Sequence, residues 1–188
     1  MSYDKKTNLL YAIVLTKTAD HDFASLVERL QWKNGLALDP MLLPTLIAHL
    51  CLESSANRIG KQDHRLNDLE QKMGLHEWTN MPGADLFQID FVAATRALGA
   101  VSRKLSLERM RVEGLLLNLG ELWQMVREEN VADEIVDDAK RKTAERDIDE
   151  LVRHNMNACK NTALRIDWEE KRAQNQMSVV RIACPPEP

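Results

Sequence analysis

The stretch Phe91–Val126, FVAATRALGAVSRKLSLERMRVEGLLLNLGELWQMV, decides how this chain folds. Taken at alternating steps of three and four, it meets Phe91, Ala94, Leu98, Val101, Leu105, Glu108, Val112, Leu115, Leu119, Leu122 and Val126. Ten of these eleven positions are apolar, and only Glu108 breaks the row. A 3–4 repeat of this length keeps one seam turned toward a partner helix, as in a coiled-coil-like bundle. The opposite side carries Arg96, Arg103, Lys104, Arg109, Arg111 and Glu113, a face suited to water.

The totals agree with a helical globular protein. A length of 188 residues allows one domain with its own core, and the shares of 44% hydrophobic and 29% charged residues are ordinary. A net charge of −4 argues against a nucleic-acid partner. No run reaches the roughly 18–20 apolar residues of a membrane helix. The polar start Met1–Asn8 lacks the apolar centre of a signal peptide, so a cytoplasmic location is expected. Cys51, Cys159 and Cys184 are odd in number and show no CxxC or Cys/His spacing. They read as thiols in a reducing compartment rather than as a disulfide or zinc framework.

Upstream of the long helix, Leu9–Leu15 (LLYAIVL) suits a short buried strand by length, with a helical turn or two as the alternative and no obvious strand partner. Asp20 is placed to cap a helix carrying Phe23, Leu26, Val27 and Leu30, which Asn34-Gly35 would end. Asp39-Pro40 has the form of a helix start, and a long helix follows through Leu43, Leu46, Ile47, Leu50, Cys51, Ile59, Gln62, Leu66, Leu69 and Met73. A bend is expected near Gly60 and a stop at Gly74. Downstream, Glu128–Glu150 is acid-rich, a solvated face or a connection. The last helix, about Glu145 to Val180, has the seam Ile148, Val152, Asn155, Cys159, Thr162, Ile166, Glu169, Ala173, Gln176, Val180. Four of these ten are Asn, Thr, Glu or Gln. So polar a seam predicts a partner, with Ile148, Val152, Cys159, Ile166 and Val180 as its interface. The expected fold is all-α: an antiparallel bundle of three to four long helices over 39–180. A segment 1–38, with at most one short strand, packs on it, and 181–188 forms a disordered Pro-rich tail.

No GxGxxG, P-loop, HExxH or EF-hand loop occurs. His64, His76 and His154 have no nucleophile at catalytic spacing, so no catalytic or cofactor-binding residue is assigned and a non-enzymatic protein is expected. In His49-x-Cys51-x-Glu53 the cysteine points away from the other two on a helix, leaving His49 and Glu53 as an i, i+4 pair. The one run suited to an ion contains Asp133, Glu134, Asp137 and Asp138. Asp133/Asp137 and Glu134/Asp138 are like-charge i, i+4 pairs that repel unless a cation lies between them. Carboxylate oxygens suit Mg²⁺, here as a weak surface site.

Asp39-Pro40-Met41-Leu42-Leu43-Pro44-Thr45 resembles the HP-hydrophobic-LLP helix opening of fungal CorA-like proteins. His64 to Leu75 (HRLNDLEQKMGL) resembles the LE-x-x-hydrophobic-G-hydrophobic end that follows it there. His154-Asn155-Met156-Asn157-Ala158 and Arg172 to Val180 (RAQNQMSVV) resemble the long helix those proteins send toward the membrane. After Val180 come Arg181-Ile182-Ala183-Cys184-Pro185-Pro186, without the Gly-Met-Asn signature of CorA magnesium channels, so no pore residue carries over. The resemblance implies a cytosolic helical domain that senses divalent ions or assembles as an oligomer. Two functions follow as expectations: a Mg²⁺-responsive assembly domain, or a helical module that binds a helical protein partner or its own copy.

Overall fold

The computed structural model describes residues 2–4, 9–11, 19–32, 39–74, 90–129 and 138–183. Among them are four helices, α1 (Ala19–Trp32), α2 (Leu42–Lys72), α3 (Phe91–Glu129) and α4 (Asp138–Ala183), and the all-α bundle expected from periodicity is what forms. Leu9–Tyr11 is a strand (β2), and its partner is Ser2–Asp4 (β1), antiparallel in the register Ser2↔Tyr11, Tyr3↔Leu10 and Asp4↔Leu9. The polar N-terminus thus supplies the partner that hydrophobicity alone does not reveal. Residues 12–15 of the expected strand, Asn34-Gly35, and the tail from Cys184 lie outside the described residues.

The helix ends follow local chemistry. Before α2, Asp39 Oδ1 accepts the Met41 N–H at 2.8 Å, and Asp39 O accepts the Leu42 N–H at 3.1 Å. This is the capping role expected of Asp39, with Pro40 in the position where a missing N–H is harmless. At the far end Gly74 adopts φ 67°, a left-handed conformation that costs glycine nothing, and its N–H returns to Gln71 O at 3.1 Å. Between them α2 runs unbroken through Gly60. Asp90 caps α3 by accepting the Ala93 N–H at 2.9 Å.

The chain divides into two compact units, each made of two stretches of sequence. Unit 1 comprises Met1–Glu53 and Gly114–Lys160; unit 2 comprises Ser54–Glu113 and Asn161–Pro188. In unit 1, Leu26 of α1, Met41, Leu42, Leu46 and Ala48 pack with Leu119 of α3 and Ile148 and Val152 of α4. Leu26 and the partly buried Leu30 are the residues of the expected 1–38 segment that take part in this core. In unit 2 the buried set is Ile59, Leu66 and Met73, then Ala94, Leu98, Val101, Leu105 and Val112, then Ile166, Ala173 and Val180. Full burial of one Leu or Ile side chain contributes about 1.5–3 kcal/mol, so these three rows hold unit 2 together.

The seam read from α3 is its buried face from Ala94 to Leu119, Glu108 included. It then drifts. Leu122 is 39% exposed, and half-buried Trp123 takes the inward place. An α-helix closes a turn every 3.6 residues, so a strict 3.5-residue row slips around a straight helix by about 20° per heptad.

Candidate functional site

Each core contains polar layers, and of the polar residues singled out in the α4 seam Asn155 and Glu169 are buried while Thr162 and Gln176 are half-buried. In unit 1, Asn155 is fully buried; its Nδ2 donates to Thr45 O at 2.9 Å, and its Oδ1 lies 3.1 Å from His49 Nδ1. His49 Nε2 lies 3.4 Å from Glu53 Oε1, the i, i+4 pair expected from spacing, and Glu53 also receives Arg29 Nη2 at 2.9 Å. At the opposite end of the same unit, Arg127 donates from Nη2 to Asp39 Oδ2 at 3.0 Å and to Asp149 Oδ1 at 2.6 Å. Trp123 Nε1 joins Asp149 at 2.9 Å. Burial pushes the Asp39 carboxyl above its ordinary pKa, outweighing the Met41 N–H and the Arg127 charge.

Unit 2 is organised by arginines. Glu108, the one acid in the α3 seam, is buried and receives Arg58 Nε at 2.7 Å and Arg111 Nη1. Arg58 also donates to Ser54 Oγ at 2.6 Å and Ser55 Oγ at 3.2 Å. Arg172 reaches four side chains: Nε to Glu70 Oε1 at 2.7 Å, Nη1 to Asp63 Oδ1 at 2.9 Å and to Glu169 Oε2 at 3.4 Å, and Nη2 to Asn67 and Glu70 Oε2. Its guanidinium also stacks 5.3 Å from the centre of the Trp168 ring, a cation–π contact. Gln176 Nε2 adds a bond to Glu70 at 3.1 Å.

The five residues expected at an interface lie inside these cores. Ile148, Val152, Cys159, Ile166 and Val180 are all at most 3% exposed, so they are core and not an interface left open for another helix. Three of the polar positions between them find partners in the same chain: Asn155 with Thr45 and Gln176 with Glu70, both on α2, and Glu169 with Arg172 one turn along α4. Asp133, Glu134 and Asp137 lie outside the described residues, as does the side chain of Asp138. Among the described residues no group of three or more His, Cys, Asp or Glu is placed to hold a metal ion, and no helix is long and apolar enough to cross a membrane.

Two buried groups carry predictions. Glu169 is 1% exposed, and burial first, then the Asp63 charge, raises its pKa against the pull of Arg172. A carboxyl that binds its proton more tightly when folded lowers stability as pH rises from its unfolded pKa through its folded pKa. Glu169→Gln is therefore expected to raise the thermal midpoint at neutral pH, with the gain disappearing once the pH falls below the ordinary carboxylate range. Thermal unfolding of both proteins across that range checks the sign. Cys159 is fully buried and its thiol is pushed up to about 11 by burial, whereas Cys51 is exposed. Native protein at mildly alkaline pH should leave Cys159 unalkylated and label it only in denaturant, as read by mass spectrometry of peptides.

The feature that periodicity of the main seam overlooks lies on the other side of α3. Leu107 (47%), Met110 (70%), Leu117 (62%) and Met125 (57%) are exposed there, interrupted by Gly114. A Cβ built at Gly99 or Gly114 would meet nothing within 4 Å, unlike one at Gly120, which faces Met156. Each glycine costs a helix interior about 1 kcal/mol relative to alanine, and the chain's own packing does not require it at these two sites. The signal was present in the sequence as a second 3–4 repeat, hidden among the arginines of the same face.

No protein-family model, curated protein or solved structure matches this chain.

Proposed function

We propose that this chain is a helical protein–protein interaction module, with the outer face of α3 as its binding surface. The observation that carries this reading is the exposed row Leu107, Met110 and Leu117, large apolar side chains on a helix whose inward face is already closed. Buried charges do not compete for the role, since Glu70, Glu108 and Glu169 are engaged by arginines inside the fold. The Mg²⁺-responsive alternative rests on Asp133, Glu134, Asp137 and Asp138 and on the CorA-like resemblance. The module reading rests instead on side chains that are described.

A surface kept apolar for another molecule can be made polar without harm to the fold. Met110→Lys combined with Leu117→Lys, studied at low protein concentration, should change the unfolding free energy by no more than about 0.5 kcal/mol, as surface substitutions do. A loss of several degrees would assign the row to the chain's own packing and overturn the module reading.

A further inference from the structure

The outer face of α3 has a pattern that matches itself when reversed. Starting at Leu107, steps of three and four give Met110, Gly114, Leu117 and Glu121; continuing backward they give Arg103, Ala100 and Arg96, and forward Gln124 and Glu128. Reversed about a point between Met110 and Gly114, four of the five pairs are complementary, and the fifth sets Ala100 against Gln124. Met110, the most exposed large apolar side chain of the row, falls opposite Gly114, where a missing Cβ leaves open space. Leu107 falls opposite Leu117. Arg103 falls opposite Glu121, and Arg96 opposite Glu128.

We infer that α3 pairs antiparallel with α3 of a second copy of this chain, through this face and in this register. The inference rests on the module reading and names its partner. Two-fold symmetry makes the contact isologous, so every pair occurs twice and the assembly closes at two. Knobs at Met110 and Leu107 and holes at Gly114 are the packing units of a two-helix coiled coil.

Charge fixes the direction. From Phe91 to Val112 the helix carries Arg96, Arg103, Lys104, Arg109 and Arg111 against the single buried acid Glu108. From Glu113 onward it carries Glu113, Glu121, Glu128 and Glu129 against Arg127, which is held by Asp39 and Asp149. Parallel pairing would set like charge on like; antiparallel pairing sets basic on acidic. The distribution is also wrong for an isolated helix, whose dipole disfavours Glu128 and Glu129 in the last turn. Arg96, Arg103 and Glu121 are exposed and have no hydrogen-bond or ion-pair partner among the described residues.

The test uses the full chain and sedimentation equilibrium at low salt. Arg103→Glu and Glu121→Arg should each raise the dimer dissociation constant by about tenfold or more, because each sets two like-charge pairs face to face. Arg103→Glu combined with Glu121→Arg should restore it to near the wild-type value. Gly114→Ala gives a second readout with opposite signs. At concentrations where the protein is monomeric it should raise the thermal midpoint, and it should weaken the dimer by filling the space that receives Met110. A dimer that ignores the single reversals, or a double reversal that fails to restore it, would place the contact elsewhere and overturn the inference while leaving the module reading intact. A chain that stays monomeric throughout would overturn it as well, and the Met110/Leu117 lysine variant would then judge the module reading by itself.

Discussion

Arg172→Ala should destabilise unit 2 by about 3–5 kcal/mol, the range seen when one partner of a buried ion pair is removed. The Arg172 side chain is 16% exposed, and it alone separates Glu70 (8%) from Glu169 (2%) and Asp63. Truncation leaves three carboxylates around the vacated space, and among the described residues no other guanidinium is positioned to replace the double contact to Glu70. Arg165 does not fill this role, since its Nη2 is 3.8 Å from Asp63 Oδ2 and its side chain is 48% exposed. The loss should shrink on acidification as the orphaned carboxylates take up protons. Urea titration with amide hydrogen exchange is the suitable measurement, because exchange localises the opening to amides of residues 54–74, 90–113 and 161–183. A change below about 1 kcal/mol would mean that Arg172 behaves as a surface charge.

Ile166→Asp should be at least as damaging. Ile166 is fully buried in the α4 row of unit 2, so the substitution places an unpaired carboxylate in an apolar site and removes a core side chain. Loss of an Ile side chain alone costs about 2–5 kcal/mol, and an uncompensated buried charge adds several more unless it protonates. The same substitution at an exposed docking residue would have weakened association and spared stability. Circular dichroism at 222 nm during denaturation should show loss of the cooperative transition at unit 2. A stable helical protein with reduced self-association would return Ile166 to the interface where periodicity first placed it.

That reassignment marks where sequence stops being informative. The rows of α3 and α4 were legible because burial in a helix repeats every three and four residues, and Asp39 and Gly74 were legible because capping is local. The mates of the polar seam were not. Thr45 and Asn155 are 110 residues apart, and Glu70 and Arg172 are 102 apart, so only the folded chain shows that Asn155 and Arg172 of α4 answer groups on α2. A seam read alone looks under-packed; in the fold, Asn155, Glu169 and Gln176 each have a partner. The outer α3 row was obscured for a different reason. Its apolar members are spaced by arginines and glutamates that read as a solvated face, and only their exposure beside a closed core separates the two meanings. The acidic run chosen for Mg²⁺ was conspicuous in composition, yet Asp133, Glu134 and Asp137 belong to no described element.

Light scattering on the wild-type chain, from low micromolar to submillimolar concentration, with Mg²⁺ and then with chelator, is the most direct measurement of how this protein assembles. Pairing through α3 predicts a mass that rises from 21.5 kDa to twice that value and is the same in both buffers. A constant 21.5 kDa would contradict self-pairing, and a mass that follows Mg²⁺ would return the acidic run to the centre of the mechanism.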